Sequence, residues 1–252
     1  MVVVIICKIL LLKIKKNLIK NFIFLFKKII LNLFIIMSIL LPYQKEDTIE
    51  LGIDEAGRGC LFGDVFIAGV ILPQNILELI EKEKVIIKDS KKLSKKKRMI
   101  AKEFIERVAL DYCIVQKSNE KIDEINILQA TMEGMHDVIR NIGRKPEKIL
   151  VDGNRFPTYF DEDGNEIKHE CIIKGDDTYL SIACASILAK TNKDLHIVKM
   201  VKECPELEKY DLLNNSGYGT KKHIEAIKKY GITDFHRKTF NICKPKLVSF
   251  FS

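Results

Sequence analysis

The sequence predicts an α/β fold in which a mixed β-sheet is flanked by helices. Apolar segments of strand length alternate with amphipathic helical segments from residue 48 onward. The first two strand segments, 48–54 and 65–72, follow each other across a glycine-containing turn, which favours a hairpin. Strands that precede alternating helices and strands are typical of a mixed sheet covered by helices.

Five strands can be predicted from the apolar pattern. The first carries Ile49, Leu51 and Ile53 at alternate positions, and the second, VFIAGVIL, is almost continuously apolar, as expected of a buried strand. The others are predicted at 112–116, 148–152 and 169–173. A polar DEDGN segment at 161–165 is a turn, because it lacks the full ligand run of a calcium loop.

Three helices are predicted before the C-terminal portion. Ser94 is the expected N-cap of the first, whose apolar face comprises Met99, Ile100, Phe104, Ile105 and Val108. The second spans 120–142, ends near Gly143, and packs through Ile125, Leu128, Met132, Met135 and Ile139, so its methionines are core residues. The third spans 177–202, and its first half is so rich in small and apolar residues that it must be buried.

The net charge of +8 does not by itself indicate a nucleic-acid partner. Seven lysines and no acid lie within the first 36 residues, and without them about +1 remains on the other 216. Any nucleic-acid interaction must therefore depend on local clusters. The seven cysteines are widely spaced and include no C-x-x-C pair. We therefore expect free thiols, no disulfide framework or zinc site, and a protein of a reducing compartment, the cytoplasm.

Residues 1–36 differ in composition from the rest of the chain. They are rich in Ile, Leu, Phe, Lys and Asn, and the longest uncharged run, 29–44, has 16 residues, fewer than the roughly 20 of a spanning helix. The segment 1–41 could be a signal or membrane anchor, an amphipathic surface helix, or an upstream extension of the reading frame. We favour the extension, with Met37 as the start of the folded protein, over a membrane tether.

Four carboxylates are predicted at strand ends or just before a helix: Asp54, Glu55, Asp152 and Asp176. The first two precede a Gly-Arg-Gly turn at 57–59, where another molecule's backbone can approach closely. If the four ends converge, their oxygen atoms form a cluster that suits Mg²⁺ or Mn²⁺. A single acid at such a position is more often a turn or cap residue, and for Asp176 alone capping is the favoured interpretation.

Seven stretches of the chain, in order, resemble the signature of the type 2 ribonuclease H family, ribonuclease HII. They are TIELGIDEAGRGCLFG at 48–63, DSKKLS at 89–94, DEINILQATMEGM at 123–135, VDGNR at 151–155, KGDDTYLSIACASILAK at 174–190, GYGTKKH at 217–223 and HRKTF at 236–240. A coincidental match of so many ordered motifs is very improbable. The resemblance implies a ribonuclease H-like fold, a catalytic domain at 37–243 and a helical portion around 205–241.

The resemblance also implies an activity. It predicts a monomeric endoribonuclease of DNA replication and repair that hydrolyses the RNA strand of RNA:DNA hybrids and cuts 5′ of ribonucleotides embedded in duplex DNA. The products would carry 3′-hydroxyl and 5′-phosphate ends. Asp54, Glu55, Asp152 and Asp176 match the positions that bind two divalent ions, Mn²⁺ or Mg²⁺, and two such ions activate a water and stabilise the leaving oxygen. Asp176 is preferred to Asp177 because it holds the KGD position.

Substrate contacts follow from the same resemblance. Gly57, Arg58, Gly59 and Tyr218 match the positions that read the 2′-hydroxyl of a ribonucleotide and the sugar beyond it. Lys91, Lys92 and Lys174 are candidate phosphate contacts. The residues alone would make Tyr218 a turn aromatic and most of the lysines a solvated helix start. His223, His236 and Arg237 also lie in family motifs, and a lone histidine is more often structural than catalytic.

One departure from the family pattern and two other functions bear on this interpretation. The family usually has Gly-Pro where this chain has Gly63-Asp64, which puts a fifth acid near the metal pair and bears on metal affinity and its pH dependence. The sibling class ribonuclease HIII usually has Gly-Thr-Gly in the opening motif, so Arg58 argues against it. A non-catalytic nucleic-acid-binding module is disfavoured because it would gain nothing from clustered carboxylates facing phosphates.

The C-terminal tail, 244–252, resembles a sliding-clamp-binding peptide. Leu247, Phe250 and Phe251 follow Lys244 at the spacing of such peptides, which usually begin with Gln. A replication clamp is one expected partner, bound with the tail as a short helix in a groove. The alternative is that both phenylalanines pack back onto the domain, each burying about 2 kcal/mol worth of apolar surface.

Overall fold

The computed structural model describes residues 40–45 and 47–244. Its centre is a six-stranded sheet in the order β3-β2-β1-β4-β6-β5. The strands are β1 Glu50–Ala56, β2 Val65–Ile71, β3 Asp111–Lys117, β4 Lys148–Asp152, β5 Tyr159–Phe160 and β6 Glu166–Ile172. All five predicted strands are present, and the two-residue strand β5 is an addition.

The sheet is mixed, as predicted. Strands β1, β2 and β3 are antiparallel neighbours, whereas β1 with β4 and β4 with β6 are parallel. The predicted first strand was wrong at its end, because β1 continues to Ala56, and β6 begins three residues earlier than predicted. The cause in β1 is pairing with β2, which extends through Glu55 opposite Ile67 and Ala56 opposite Phe66. Asp54 and Glu55 therefore lie within the last residue pairs of the hydrogen-bonded ladder, not beyond it.

Six α-helices are found in the described residues: α1 Ile76–Glu83, α2 Lys95–Val108, α3 Asn119–Asn141, α4 Leu180–Glu203, α5 Leu212–Asn215 and α6 Lys221–Tyr230. Ser94 caps α2, as predicted, because its side chain accepts a hydrogen bond from the Lys97 N–H. The predicted apolar face of α2 was wrong at Ile100, which is exposed. Arg98 is buried instead, since its guanidinium donates to the carbonyls of Ser90 and Leu93.

The long helix α3 is interrupted at Asn126, where a single continuous helix was predicted. Asn126 has φ 67° and ψ 161°, and its side chain accepts hydrogen bonds from the N–H groups of Leu128 and Gln129. It therefore caps the second half of the helix as Asn does at a helix start. The predicted methionine packing is confirmed for Met135, which is fully buried, while Met132 is half-buried against the same core.

Two hydrophobic cores cover the two faces of the sheet. On one face α3 packs on β1, β2 and β4, and on the other α2 and α4 pack on β1 and β2. The small residues of α4 allow close approach, as predicted: a Cβ atom added to Gly52 of β1 would lie 2.4 Å from the Ser181 backbone. This contact fixes the start of α4 against the central strands.

The helical C-terminal portion is confirmed. A 3₁₀ segment Pro205–Tyr210, α5 and α6 pack with Leu61, Phe62 and the end of α4 in a third cluster. Within the described residues, none of the helices is long and apolar enough to cross a membrane. The six described cysteines, at positions 60, 113, 171, 184, 204 and 243, are free thiols. The predicted extension at 1–36 and tail residues 245–252 lie outside the described residues.

Candidate active site

Asp54 and Asp152 lie on neighbouring strands, Asp54 near the end of β1 and Asp152 at the end of β4. Strands β1 and β4 are parallel neighbours, and Ile53 is paired with Val151, so the next residue on each strand is an acid. Gly52 and Leu150, two residues earlier, both face α4, because the first meets Ser181 and the second packs with Ile182. The alternation of side chains along a strand puts both carboxylates on this same face, at the start of α4.

Asp176 is brought to the same edge by a 3₁₀ turn, Gly175–Asp177, that precedes α4. The Gly175 N–H donates to Oδ1 of Asp152 at 2.7 Å, which anchors the turn against the strand end. Asp176 is buried, whereas Asp177 is exposed and accepts a hydrogen bond from Lys92 at 2.5 Å. The N-cap of α4 is Tyr179, so capping does not explain Asp176.

The buried carboxylate of Asp54 has two hydrogen-bond donors. It accepts from the Glu55 N–H at 2.6 Å and from the hydroxyl of Ser186 on α4. The Ser186 oxygen lies 3.0 Å from that of Ser90, which is therefore the donor between the two hydroxyls. The carboxylate is held in one orientation by the core of the protein rather than by solvent.

The four acids share one electrostatic environment. Desolvation raises the pKa of Asp54 well above its usual value, with further contributions from Glu55 and Asp152. Desolvation also raises the pKa of Glu55, against the lowering effect of Arg58. The pKa of Asp176 is raised to about 6 by desolvation, then by Asp152 and Asp89. Protons or cations are therefore favoured at this site.

The carboxylates do not converge on one point. Within residues 40–45 and 47–244, no group of three or more His, Cys, Asp or Glu side chains is arranged as a closed cage for a metal ion. The acids lie on separate strand and turn ends, and Glu55 turns toward Arg58, whose Nη1 lies 3.3 Å from its Oε1. Their donor chemistry, carboxylate oxygen throughout, fits a hard divalent cation, and side-chain rotation would be needed to close around it.

The three lysines predicted to contact phosphate lie on the rim of this site but differ in their partners. Lys91 is exposed, and its charge lowers the pKa of both Glu55 and Asp176. Lys92 pairs with Asp177 and also lies 3.7 Å from Asp89. Lys174 is exposed and has a left-handed backbone with φ 58° at the start of the 3₁₀ turn. Lys91 and Lys92 are thus close in space to Asp176, and Lys174 is two positions from it in the sequence.

The Gly-Arg-Gly segment forms a tight turn directly after β1. The Cys60 N–H donates to the Gly57 carbonyl, and Gly57 has φ +102°, which a side chain rarely adopts. A Cβ atom there would also lie 2.8 Å from the Lys193 stem. Arg58 is exposed, and its carbonyl accepts a hydrogen bond from the buried Arg237 guanidinium at 2.9 Å.

Tyr218 stands beside this turn. It forms a β-bridge with Cys60, and a Cβ atom on Gly59 would lie 3.9 Å from its ring. The side chain is 38 % exposed, and the Lys193 ammonium lies 4.7 Å from the ring centre. Desolvation, followed by the effect of Cys60, raises the pKa of Tyr218, so its hydroxyl keeps its proton at neutral pH. One side of the Tyr218 ring is thus in contact with Lys193, and part of the ring remains exposed to solvent.

Asp64, expected as a fifth acid near the metal pair, has other partners. Its carboxylate lies 3.7 Å from His196 and accepts a hydrogen bond from the Asn119 N–H, at the start of α3. Desolvation raises its pKa, and its largest electrostatic neighbours are His196, Glu120 and Arg237. Its position after the turn is therefore explained by contacts with α3 and α4.

Several buried residues around the site had no assigned role in the sequence. Lys193 is fully buried and donates to the Ser216 carbonyl at 2.6 Å, and Arg237 donates to the Gly63 carbonyl as well as to Arg58. His223 and His236 are buried against each other. For Arg237, His223 and His236, membership of the GYGTKKH and HRKTF stretches was the only signal, and Lys193 lies in none of the quoted stretches. The partners of these residues are mostly backbone carbonyls, which leave no trace in a sequence.

Comparison with known proteins gives the family. The family model described as Ribonuclease HII matches residues 51–243. Ribonuclease HII of Bacteroides thetaiotaomicron is 46% identical over 203 residues, which cover 81% of this chain and 94% of the relative. Ribonuclease HII of Parabacteroides distasonis is 47% identical over 208 residues, covering 82% and 98%. These relatives match the length of the motif-bearing domain.

Solved structures agree. Ribonuclease H2 from Pyrococcus horikoshii OT3 has a TM-score of 0.61 at 26% identity, covering 77% of this chain and 94% of that one. The RNase HII in a PCNA:RNase HII complex from Archaeoglobus fulgidus has a TM-score of 0.59 at 26% identity, covering 79% and 98%. Bst-RNase HIII in complex with Mn²⁺ has a TM-score of 0.58 at 18% identity, covering 80% and 70%, which shows a common fold. This chain belongs to the ribonuclease HII family and is a ribonuclease H, a nuclease that acts on RNA in RNA:DNA hybrids.

Proposed function

We propose that the protein is a divalent-metal-dependent endoribonuclease that also cuts duplex DNA on the 5′ side of a single embedded ribonucleotide, leaving 3′-hydroxyl and 5′-phosphate ends. The observation that carries the proposal is the juxtaposition of four carboxylates with the Gly57–Gly59 turn and Tyr218. The acids can bind cations, and the turn and ring can read a sugar. Chemistry and recognition are then neighbours on one surface.

Asp54, Glu55, Asp152 and Asp176 would hold two ions, Mn²⁺ or Mg²⁺. Support comes from their all-oxygen donor set and from the raised pKa values of Asp54 and Asp176, which indicate that negative charge there is poorly compensated. The Mn²⁺ complex of Bst-RNase HIII, which has the same fold, is consistent with this choice. When bound, such ions would activate a water and stabilise the leaving oxygen of a phosphodiester.

The chain's own residues supply substrate selection. Backbone groups of the turn at 57–59 can approach a 2′-hydroxyl because the exposed Gly59 has no side chain, while Gly57 permits the backbone conformation of the turn. The exposed face of Tyr218 can stack on the sugar, and its protonated hydroxyl can donate a hydrogen bond. A deoxyribose in the same position would leave these polar groups without partners, which is how a site of this kind rejects DNA.

The lysines at the rim would orient the phosphodiester backbone. Lys91 is the strongest candidate for a phosphate contact, because it is exposed and acts on two of the acids. Lys174 is exposed beside Asp176, whereas Lys92 would have to exchange Asp177 for a phosphate. Such contacts fix the register of the duplex and carry no sequence information.

The test of catalysis is cleavage of an end-labelled DNA duplex containing one ribonucleotide, with the product ends mapped. Asp54→Asn and Asp152→Asn should each lose at least about a thousandfold in rate while remaining folded, because a carboxylate ligand is removed. Asp163→Asn, in the exposed 161–165 turn, is the matched control and should cut normally. Full activity of either active-site variant, or undiminished cleavage in EDTA, would exclude the metal-dependent mechanism.

The test of recognition compares Tyr218→Phe with Tyr218→Ala. The Phe variant keeps the stacking ring and the Ala variant does not, so Ala should cost more, about 1 to 3 kcal/mol in transition-state stabilisation, or roughly 5- to 150-fold in rate. In free-energy terms, the loss of transition-state stabilisation in the Ala variant should exceed any loss of stability measured from its melting temperature. Equal losses of activity and stability in the Ala variant would mean that Tyr218 only supports the turn.

A sliding clamp is proposed as the partner of the tail. The solved PCNA:RNase HII complex from Archaeoglobus fulgidus contains a relative of this chain at 26% identity. In this chain, Leu247, Phe250 and Phe251 supply the apolar side chains that a groove on a clamp would accept. Binding would deliver the nuclease to newly replicated duplex DNA without changing the chemistry.

A further inference from the structure

His223, on α6, and His236, in the following loop, form a fully buried pair that the cleavage chemistry does not use. Their Nε2 atoms lie 3.2 Å apart. The His236 ring also contacts the rings of Phe62 and Tyr210, with centroids 5.1 and 4.9 Å away. Two imidazoles in an apolar setting require defined hydrogen-bond partners, because an unpaired buried nitrogen is costly.

The outer partners fix the direction of every bond in this pair. The Thr233 N–H can only donate, and it lies 3.0 Å from His236 Nδ1, so that nitrogen carries a lone pair. The Thr233 hydroxyl, 2.9 Å from the same nitrogen, is then a donor as well. The Tyr218 carbonyl can only accept, and it lies 2.9 Å from His223 Nδ1, so that nitrogen carries a proton. For neutral rings, one arrangement remains: His236 Nε2–H donates to His223 Nε2.

Both rings are neutral at physiological pH. Desolvation lowers the pKa of His223, and desolvation together with His223 lowers the pKa of His236 to about 4. The hydrogen bonds therefore form a chain of fixed direction that runs from the Thr233 N–H through His236 and His223 to the Tyr218 carbonyl. A second proton on either ring would place two hydrogens, or a hydrogen and an N–H donor, against each other.

This series of hydrogen bonds, the histidine relay, joins two segments that flank the substrate surface. His236 forms a β-bridge with Phe62, and the Phe235 carbonyl accepts from the Gly63 N–H, so its loop is attached to the segment that follows the 57–59 turn. At the other end, the Tyr218 carbonyl receives only one other hydrogen bond in the described residues, from the Thr220 N–H. The histidines thus connect the backbone of Tyr218 to the backbone beside the turn.

We propose that His223 and His236 are positioning residues whose directed hydrogen-bond relay sets the height of the Tyr218 ring above Gly59. The inference rests on the proposed role of Tyr218 in reading the ribonucleotide. It assigns the pair a part in specificity, because the Tyr218 ring faces Gly59, where an added Cβ atom would lie 3.9 Å from it, and small displacements of a recognition group change rates strongly. The histidines touch no reacting atom and act only through Tyr218.

The first measurement is the tautomeric state of each histidine in the intact protein by ¹⁵N NMR. The relay requires a proton on Nδ1 of His223, the minority form of free histidine, and a proton on Nε2 of His236. Finding His223 protonated on Nε2, or either ring doubly protonated at pH 7, would overturn the relay. A pair that only filled space would have no reason to hold this combination.

The second measurement compares His223→Asn with His223→Leu. The Asn amide nitrogen occupies the place of Nδ1 and can still donate to the Tyr218 carbonyl, whereas Leu cannot, and both lose the link to His236. We expect His223→Leu to cut a single-ribonucleotide duplex about tenfold more slowly than His223→Asn, by kcat/KM. Equal activities of the two variants would refute the relay and leave the histidines as packing residues.

A double-mutant comparison separates this inference from the proposed function. In a Tyr218→Ala background, the Asn and Leu variants at position 223 should cut equally, because the ring to be positioned is gone. A difference that persists there would refute action through Tyr218. If Tyr218→Ala alone left cleavage unchanged, the proposed role of Tyr218 in recognition would be refuted. The positioning role of the histidines would then be refuted as well, whatever tautomers NMR showed. That result would be a failure of the proposed function, whereas the wrong tautomers with an active role for Tyr218 would be a failure of the relay alone.

Discussion

Replacing Asp176 with Asn should stabilise the metal-free protein at neutral pH while stopping cleavage. The pKa of Asp176 is raised to about 6 from an ordinary value of 3.8. A difference of about two pH units corresponds to about 3 kcal/mol at about 1.4 kcal/mol per unit. Partial access of water to this rim reduces the expected gain to about 1 to 3 kcal/mol. The carboxylate is therefore held ionised against the preference of the folded state.

The direction in which Asp176 changes the unfolding free energy with pH follows from proton binding. Between about pH 4 and pH 6 the folded protein holds a proton on Asp176 that the unfolded chain releases, so this group's contribution to the unfolding free energy falls as pH rises through that window. The amide introduced by Asp176→Asn does not titrate. The two proteins should therefore have similar stability near pH 4, and Asp176→Asn should be more stable above pH 6, by about 2 to 4 °C in Tm per kcal/mol for a domain of this size.

The assay is thermal unfolding from pH 4 to pH 8 in EDTA and again with Mn²⁺. Mn²⁺ should raise the Tm of the wild-type protein by binding the folded state and should raise the Tm of Asp176→Asn much less. The difference in Tm between the two proteins should therefore be smaller with Mn²⁺ than in EDTA. Asp177→Asn is the matched control: it is exposed, it loses an ion pair with Lys92, and it should shift stability by less than about 1 kcal/mol without any gain at neutral pH. Parallel pH profiles for wild type and Asp176→Asn in EDTA would refute the reasoning.

Three further outcomes are expected. A protein beginning at Met37 should be as active in duplex cleavage as the full chain, because the motifs begin at residue 48, and inactivity of the short form would contradict the extension hypothesis. Phe250→Ala with Phe251→Ala should abolish clamp binding in a titration and leave cleavage of a free duplex unchanged, whereas a lowered Tm with no clamp binding by the wild-type tail would indicate packing on the domain. Arg237→Lys should lower the unfolding free energy by about 2 to 4 kcal/mol, measured by denaturant titration, because a single nitrogen would replace Nε and Nη1, which reach the Gly63 and Arg58 carbonyls from separate positions; an unchanged midpoint would contradict this.

The placement of Asp54 and Asp152 beside each other could be predicted because it follows from local patterns. Asp54 follows the apolar part of β1 and Asp152 ends β4, and the parallel pairing of those strands is enough to bring them together. The choice of Asp176 over Asp177 depends on a motif position and stays a prediction; in the structure Asp176 is buried and Asp177 pairs with Lys92. Strand and helix periodicity carried this information because both are short-range properties of the chain.

The contacts around the turn could not be predicted, for a physical reason. Arg237 reaches the Arg58 carbonyl across 179 positions of sequence, and Lys193 reaches the Ser216 carbonyl from within a helix. A backbone carbonyl is present at every residue, so its use as an acceptor imposes no pattern on the sequence. The prediction of one continuous helix failed at Asn126 for a different reason. Apolar residues continue on both sides of the break, and the cap depends on a single side chain.

The two halves of the proposed function depend on different parts of the fold. The acids stand on β1, β4 and the turn before α4, which are held by the central cores, so their placement relative to one another is insensitive to the C-terminal portion. Tyr218 belongs to that portion, which meets the segment at the 57–59 turn through the bridge of Tyr218 to Cys60, the hydrogen bond from the Leu61 N–H to the Gly217 carbonyl, the contact of Tyr218 with Lys193 and the carbonyl contacts of Arg237 and the histidines. Substitutions of the acids should therefore stop cleavage of every substrate alike. Substitutions in the C-terminal portion should instead change the ratio between single-ribonucleotide and hybrid substrates, because they move the recognition group while the carboxylates stay in place.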